Sequence, residues 1–394
     1  MLLATFVATA LLAPQTAAEK TIEVPFIATD EAIIVKAVVN GKPVSLMFDT
    51  GFSGSVVIDS VMNIGKPTGT MNLQDFVGTF QAETVEIKSL KLGEKSIKVN
   101  KDMQAVMAPG ERYGTLSYGV HIDGLMGFEV FAGETVEINF QNKKFIFYPP
   151  SFDITKRVPD NKRTFLQKML PTGKDAVILQ AVTPQGKKMY LGLDTGNSFY
   201  ATCNRDVLER CGLWEVGKKP KFTRQSGVAS GAVDSWTKKM TDMTIFGVPV
   251  KTSYWDIIDL PAAEANHDGT VGYQFLKNFN IIMDYQRRRV WLENFTGKFE
   301  NDEPGDVGLR LAVDERLKRV RVTSVAPESP AAKANIKVGD HVLAVDGKEI
   351  PLSIGFQKLW DLLKGKVGEK VKLDLSRNGS FFKVELTREG LYNE

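Results

Sequence analysis

"LMFDTGFSGSVV" at residues 46–57 and "LGLDTGNSFYAT" at residues 191–202 decide how this 394-residue chain is read. Each runs from apolar residues into Asp-Thr-Gly, with a serine two residues past the glycine. At ordinary residue frequencies a chain of this length would hold roughly 0.07 copies of the tripeptide, so two copies point to duplication. An aspartate ending an apolar strand, followed by Thr and by a Gly that permits a tight turn, sets a carboxylate where the chain bends back.

Sliding the sequence along itself by 145 residues superposes much more than the tripeptide. Gly41 in "NGKP" falls on Gly186 in "QGKK", "DGLMG" (123–127) on "DGTVG" (268–272), and "VEINFQNKKFIF" on "IIMDYQRRRVWL". Only the middle slips: Gly93 in "KLGEKSI" matches Gly247 in "IFGVPV" at an offset of 154, a nine-residue insertion in the second copy. A period this long means paired domains, since solenoid units are shorter. Short Val/Ile/Phe-rich runs between Asn-Gly, Gly-Lys-Pro and Asp-Gly turns predict two all-β lobes, residues 19–149 and 150–300. From residue 305 the pattern changes to strand, turn, strand, a short helix from Pro330, another strand, an Asp346-Gly347 hairpin, a helical stretch at 356–363 and two further strands. That predicts a separate α+β module at 305–390, joined through the polar, flexible "TGKFENDEPGD". The expected fold class is mainly β.

Composition narrows the function. Fifty Lys and Arg against 47 Asp and Glu leave a net charge of +3, which argues against nucleic acid as a partner. Residues 1–18, within "MLLATFVATALLAPQTAAEK", read as a cleaved signal peptide with Thr16-Ala17-Ala18 before the cut. The apolar run is shorter than the ~20 residues a membrane helix needs, and no later run is long enough. The mature chain is therefore expected to be periplasmic or secreted, without a transmembrane helix. In an oxidising compartment Cys203 and Cys211 could bridge, with Cys203 lying before the helical "RDVLERCG"; two buried free thiols are the alternative. Three scattered histidines, His121, His267 and His341, give little for a zinc site or a Ser-His-Asp triad, and no cofactor or metal is expected.

Two related lobes facing each other could bring Asp49 and Asp194 together. Like charges that close cannot both ionise, so the pair would hold one proton between them, an acid and a base in one site. A water between them can lose a proton to the ionised carboxylate while attacking a peptide carbonyl that the protonated partner polarises.

With both Asp-Thr-Gly triplets followed by an apolar-apolar-Gly run (125–127 and 270–272), the chain resembles the pepsin-like and retropepsin-like aspartic proteases, both halves in one polypeptide, over about 280 residues. The resemblance implies an aspartic endopeptidase with Asp49 and Asp194 as its dyad, Thr50 and Thr195 interlocked across the lobes, and Gly51 and Gly196 giving backbone N–H groups to the carboxylates. Its substrate would be peptide or unfolded protein. Pepsin-like enzymes usually carry a hydroxyl residue after the glycine, where this chain has Phe52 and Asn197. Phe52 cannot bond the outer carboxylate oxygen and Asn197 can, which predicts activity nearer neutral than strongly acid pH. Glycine-bearing hairpins at 75–80 and 226–231 are candidate lids, or plain hairpin tips. Asp123 and Asp268 are expected to be structural turn residues, the "QRRR" at 286–289 a solvated turn, and His267 a loop histidine. A catalytically silent peptide-binding protein of the same fold, and a hydrolase acting on a non-protein amide, are the alternatives.

"SPAAKANIKVGDHVLAVDGKEI" resembles the PDZ domains appended to bacterial envelope proteases. By that resemblance Gly308 and Leu309 in "GLRL" would offer backbone N–H groups to a peptide's C-terminal carboxylate, and the next strand would receive the peptide edge to edge.

Overall fold

In the computed structural model of the chain, the structure describes residues 20–74, 79–108, 120–171, 176–228, 231–259, 267–314, 317–352, 354, 359 and 361–394. The expected signal peptide lies outside the described residues. The fold is mainly β, 50% strand and 8% helix.

Each Asp-Thr-Gly ends a strand that is sandwiched in the same way. Strand Lys42–Asp49 runs parallel to Gly124–Gly127, and Lys188–Leu193 parallel to Gly269–Val271. The chain leaving each turn folds back as Val56–Asp59 or Ala201–Asn204, antiparallel to the other edge of the same short strand. The 145-residue spacing recurs in the hydrogen bonds that close this thread. Gly127 N–H donates to Ser55 O and Phe128 N–H to Phe52 O, both at 2.8 Å. Gly272 and Tyr273 repeat this onto Tyr200 O and Asn197 O at 2.8 and 2.7 Å. The backbones pass so closely that a Cβ on Gly127 would stand 2.2 Å from Gly54 O, and one on Gly272 2.3 Å from Phe199 O. This is why the apolar-apolar-Gly run needs its glycine.

The two copies are fused by a shared sheet. Strands Thr135–Asn139 and Phe279–Asp284 pair antiparallel with Glu137 opposite Ile282, residues 145 apart, so the pairing lies on the pseudo-twofold axis. Their hairpins are equivalent down to the left-handed turn residues Lys143 (φ 52) and Arg288 (φ 53). One apolar cluster runs from Val24 to Leu292 through both copies, so the lobes share a core. The extra residues of the second copy lie between Ala201–Asn204 and Arg224–Val228, in the segment that carries the helix Arg205–Arg210.

The C-terminal module has its own core around Val307, Leu309, Val322, Ala331, Leu373 and Leu386. Its sheet runs Leu309–Asp314, Arg319–Val325, His341–Val345, Lys370–Arg377, Ser380–Thr387. The short helix Pro330–Lys333 is capped by Ser329 Oγ, which accepts from Ala332 N–H at 3.2 Å. Asp346 and Gly347 both take the left-handed conformations that a two-residue hairpin needs. The expected helix at 356–363 falls largely outside the described residues.

The connecting segment is not the flexible tether its polarity suggests. Phe299 O accepts from Tyr200 Oη, Glu300 Oε1 accepts from Thr252 N–H at 3.2 Å, and Asn301 exchanges two bonds with the Tyr254 backbone. Its polar side chains are spent on an open strand edge of the second lobe, a use that composition alone does not reveal. The C-terminal tail returns to the same lobe. Asn393 N–H donates to Thr237 O at 2.8 Å, its carbonyl accepts from Lys239 N–H at 3.0 Å, and its amide side chain bonds the backbone of 221, 222 and 237.

Candidate active site

Asp49 and Asp194 meet at the junction of the copies. A Cβ built on Gly196 would lie 2.2 Å from Asp49 Cγ, and one built on Gly51 2.6 Å from Asp194 Cγ. Each glycine therefore lies flat against the opposite carboxyl, and a side chain at either position would occupy the space of that carboxyl. The carboxylates are held from beneath by their own turns. Asp49 Oδ1 accepts from Gly51 N–H (2.8 Å) and Phe52 N–H (3.1 Å), and Asp194 Oδ1 from Gly196 N–H (2.9 Å) and Asn197 N–H (3.0 Å).

Thr50 and Thr195, both fully buried, lock the two turns together. Thr195 N–H donates to Thr50 Oγ1 at 3.0 Å and Thr50 N–H to Thr195 Oγ1 at 3.1 Å. Their hydroxyls donate across the junction, Thr50 to Leu193 O at 2.6 Å and Thr195 to Phe48 O at 2.8 Å. The N–H and hydroxyl groups of both threonines are satisfied by the other copy, which ties the two turns together.

Burial and mutual repulsion set the electrostatics. Asp194 is 8% exposed and Asp49 partly exposed. Desolvation first, and the neighbouring Asp194 second, push the Asp49 carboxyl well above the usual carboxylate range. Burial also raises Asp194, against the opposing pull of the N–H groups and the hydrogen bond it shares with Asp49. The pair retains a proton at a pH where isolated carboxylates have lost theirs.

Asn197 departs from its expected use. Its amide donates to Thr202 Oγ1 (3.0 Å) and Thr270 Oγ1 (2.8 Å) while its oxygen accepts from Phe199 N–H (2.9 Å), so the side chain braces the turn and only its backbone N–H reaches the carboxylate. The threonines that claim it, 5 and 73 residues away in sequence, come together only in the fold. The Phe52 ring packs against the apolar cluster of Ile34, Met47, Val57 and Ile122.

Asp123 and Asp268 cap the backs of the two central strands. Ser45 N–H donates to Asp123 Oδ2 (2.7 Å) and Tyr190 N–H to Asp268 Oδ2 (2.9 Å), again 145 residues apart. The "QRRR" turn is less solvated than its charge suggests: Arg287 pairs with fully buried Asp284 at 3.0 Å, and Arg288 donates to Leu170 O. Cys203 and Cys211 are free, buried thiols, with Cys203 in the strand before the helix Arg205–Arg210. Both lid candidates are hairpins, Gly69–Gln74/Thr79–Glu86 and Arg224–Val228/Gly231–Ile245, whose tips at 75–78 and 229–230 lie outside the described residues.

Sequence inspection missed two residues around the turn that carries Asp194. His267 lies close enough to Asp194 for their charges to interact, burial holds its imidazole below the usual histidine range, and its Nδ1 has no hydrogen-bond partner among the described residues. Arg224 forks onto buried Asp256 and stands over the Phe199 ring at 5.4 Å, bracing the turn that carries Asp194. Neither has a counterpart at the 145-residue offset, the one signal that had picked out the site. Among the described residues no cluster of three or more His, Cys, Asp or Glu side chains gathers as a metal ion would require.

In the C-terminal module Gly308, at φ 79, presses against Ser329, and its N–H already donates to Asp306 Oδ1 at 2.8 Å. Leu309 is 1% exposed and pairs with Val325.

Residues 35–130 match an aspartyl protease family model and residues 305–387 a PDZ domain model. The carboxy-terminal processing protease CtpA of Bacillus subtilis is 31% identical over 101 residues, 26% of this chain and 20% of that protein. A probable periplasmic serine endoprotease, DegP-like, of Pseudomonas fluorescens is 28% identical over 127 residues, 30% of this chain and 25% of its own length. The chain thus spans about a fifth to a quarter of these curated relatives. An aspartic proteinase from Irpex lacteus aligns over 70% of this chain and 98% of its own at 13% identity, with a TM-score of 0.42. Two stretches of the chain thus match known domains, residues 35–130 an aspartyl protease and residues 305–387 a PDZ domain.

Proposed function

We propose that this protein is an exported aspartic endopeptidase, periplasmic or secreted, which hydrolyses peptide bonds with a water activated between Asp49 and Asp194 while its PDZ domain binds peptide or partner protein. The observation that carries the reading is the reciprocal approach of each glycine to the opposite aspartate. Raised affinity for one proton gives the pair an acid and a base together. The ionised carboxylate takes a proton from water as oxygen attacks the carbonyl carbon, and the protonated partner donates to the carbonyl oxygen. The roles then exchange, and the C–N bond breaks as its nitrogen is protonated. The supporting N–H groups hold the inner carboxylate oxygens still, which keeps the outer ones aligned on water and substrate.

The relative from Pseudomonas fluorescens is named as a serine endoprotease, and Lys36 Nζ does lie 2.5 Å from Ser45 Oγ, a pairing used in some hydrolases. Ser45, however, sits mid-strand at 5% exposure, with its N–H and carbonyl both bonded to Asp123, away from any turn that could receive a scissile bond. Asp49→Asn and Asp194→Asn should each lower cleavage of an unstructured protein substrate by about 10²–10⁴-fold, and Ser45→Ala should leave it within about 3-fold. The reverse pattern would establish the serine reading, and binding without turnover in any variant would establish a silent peptide-binding protein. The rate–pH profile of the unmodified chain should peak toward neutrality; a peak confined below about pH 4 would contradict the raised dyad.

A further inference from the structure

One end of the sheet in the C-terminal module carries cations and apolar side chains together. The turn from Leu309–Asp314 into Arg319–Val325, the loop before His341–Val345 and the hairpin tip between Lys370–Arg377 and Ser380–Thr387 meet there, because Arg321 pairs with His341 and His341 with Ser376. These segments border a cavity of about 400 Å³ lined by Arg319, Lys337, His341 and Arg377. A water needs roughly 10–15 Å³ on the same scale, so a phosphate group with its substituents fits. Five cations, Lys318, Arg319, Arg321, Lys337 and Arg377, stand against two carboxylates, Asp314 and Asp340, among the described residues of this end, a positive excess of three. Arg377 forks onto buried Asp340 at 2.6 and 2.7 Å, whereas the other four are exposed and form no ion pair among the described residues. Leu317, Val338 and Phe381 are 46%, 65% and 77% exposed at the same end. Ser376 lies opposite both His341 and Phe381, so Phe381 shares the sheet face of Arg321. Glu328, which pairs with Lys221 of the second lobe, follows the opposite end of Arg319–Val325, so this surface is clear of that contact.

We propose that this end of the PDZ domain docks on an anionic phospholipid bilayer, with Lys318, Arg319, Arg321 and Lys337 against the headgroup phosphates and Leu317, Val338 and Phe381 inserted among them. Each Lys or Arg brought near such a surface is worth about 5-fold in partitioning, so four unpaired cations together supply roughly several hundredfold. Their aliphatic stems can lie at the level of the apolar side chains while the charged heads stay with phosphate. A soluble polyanion would have no use for apolar side chains on three separate segments, whereas a bilayer interface accepts both kinds of group. A protein partner calls for a contiguous apolar centre, and here Leu317 and Val338 each have a cation next to them in the chain. The proposal goes beyond peptide hydrolysis and does not depend on dyad chemistry.

The test floats the full-length chain with vesicles of phosphatidylcholine alone or with about 30 mol% phosphatidylglycerol. Partitioning into the anionic vesicles should exceed that into the neutral ones by about 10-fold or more at about 50 mM salt, and the excess should vanish by about 500 mM, where charge is screened. Lys337→Gln and Arg319→Gln should each weaken it about 5-fold, and Val338→Asp by about 10-fold or more. Lys219→Gln, on the exposed surface of the second lobe, should leave it unchanged. The varied side chains are exposed, so the substitutions should keep the fold, and every variant carries the same apolar N-terminal run, whose own affinity for lipid is common to all. Equal partitioning into both vesicles, indifference to Lys337→Gln and Arg319→Gln, or an equal loss with Lys219→Gln would overturn the proposal. Full binding by Val338→Asp would reassign the surface to a soluble polyanion, and displacement by about 10 mM inorganic phosphate at matched ionic strength would reassign it to free phosphate; either result overturns it as well.

Discussion

At the scale of single residues the site is organised by what is missing as much as by what is present. Gly196 has no side chain because the Asp49 carboxyl fills that space, at 2.2 Å from where a Cβ would stand. Gly196→Ala should cut kcat by about 10²-fold or more, since it must displace a reacting carboxyl; steady-state kinetics at saturating substrate would check this. The dyad also carries a pH-dependent stability cost. Both folded-state carboxyls bind protons more tightly than in the unfolded chain, so between the unfolded and folded pKa values the native state holds more protons, and stability falls as pH rises through that range. Asp49→Asn removes the larger share of this dependence, leaving that of Asp194. The variant's Tm should exceed that of the parent at pH 7, with the gap closing below about pH 4, as scanning calorimetry at both pH values would reveal. An active-site group that lowers stability is what function, rather than folding, would select.

At the scale of elements the molecule depends on short strands threaded between longer ones. Gly124–Gly127 and Gly269–Val271 are four and three residues long, yet each touches the strand entering an Asp-Thr-Gly turn and the strand leaving it. Such brief strands cannot be held by ladder bonds alone, and Asp123 and Asp268 tie their starting ends to the central strands. Asp268→Ala removes the acceptor for Tyr190 N–H and the partner of Arg210. It should destabilise the fold by about 1–3 kcal/mol in a urea titration, while lowering kcat/KM far less than a dyad substitution. The glycines and acidic turn residues of these elements were legible from the repeat, because two copies at one spacing reveal positions that backbone crowding constrains. The bracing by Arg224, Asp256 and Ser226 was not, because those residues belong to one copy and meet only across strands.

At the scale of the whole molecule the PDZ domain is bound to the repeated lobes rather than tethered beside them. The connecting segment and the C-terminal tail both bond the second lobe, and Glu31 of the first copy lies where Asp361 and Lys364 of the module, together with Asp30 and Lys277, act on its charge. Burial first, then Asp361, raise Glu31 to about 6. A raised carboxyl favours the docked form while protonated and opposes it once ionised, so docking should loosen as pH rises through about 6. Small-angle scattering should record a larger radius of gyration at pH 7.5 than at pH 5, and Glu31→Gln should abolish the difference. The sequence by itself determined the duplication, the mainly β class, the aspartate pair as candidates and the appended module, because strand alternation, turn chemistry and a fixed repeat spacing are local properties written along the chain. Tertiary structure alone decided that the copies share one core, that Asn197 serves the turn instead of the outer carboxylate oxygen, that the polar connector is pinned and that Arg224 braces the turn carrying Asp194. These are contacts between residues far apart in sequence, and which partner a polar side chain finds is settled only when distant backbones are packed together.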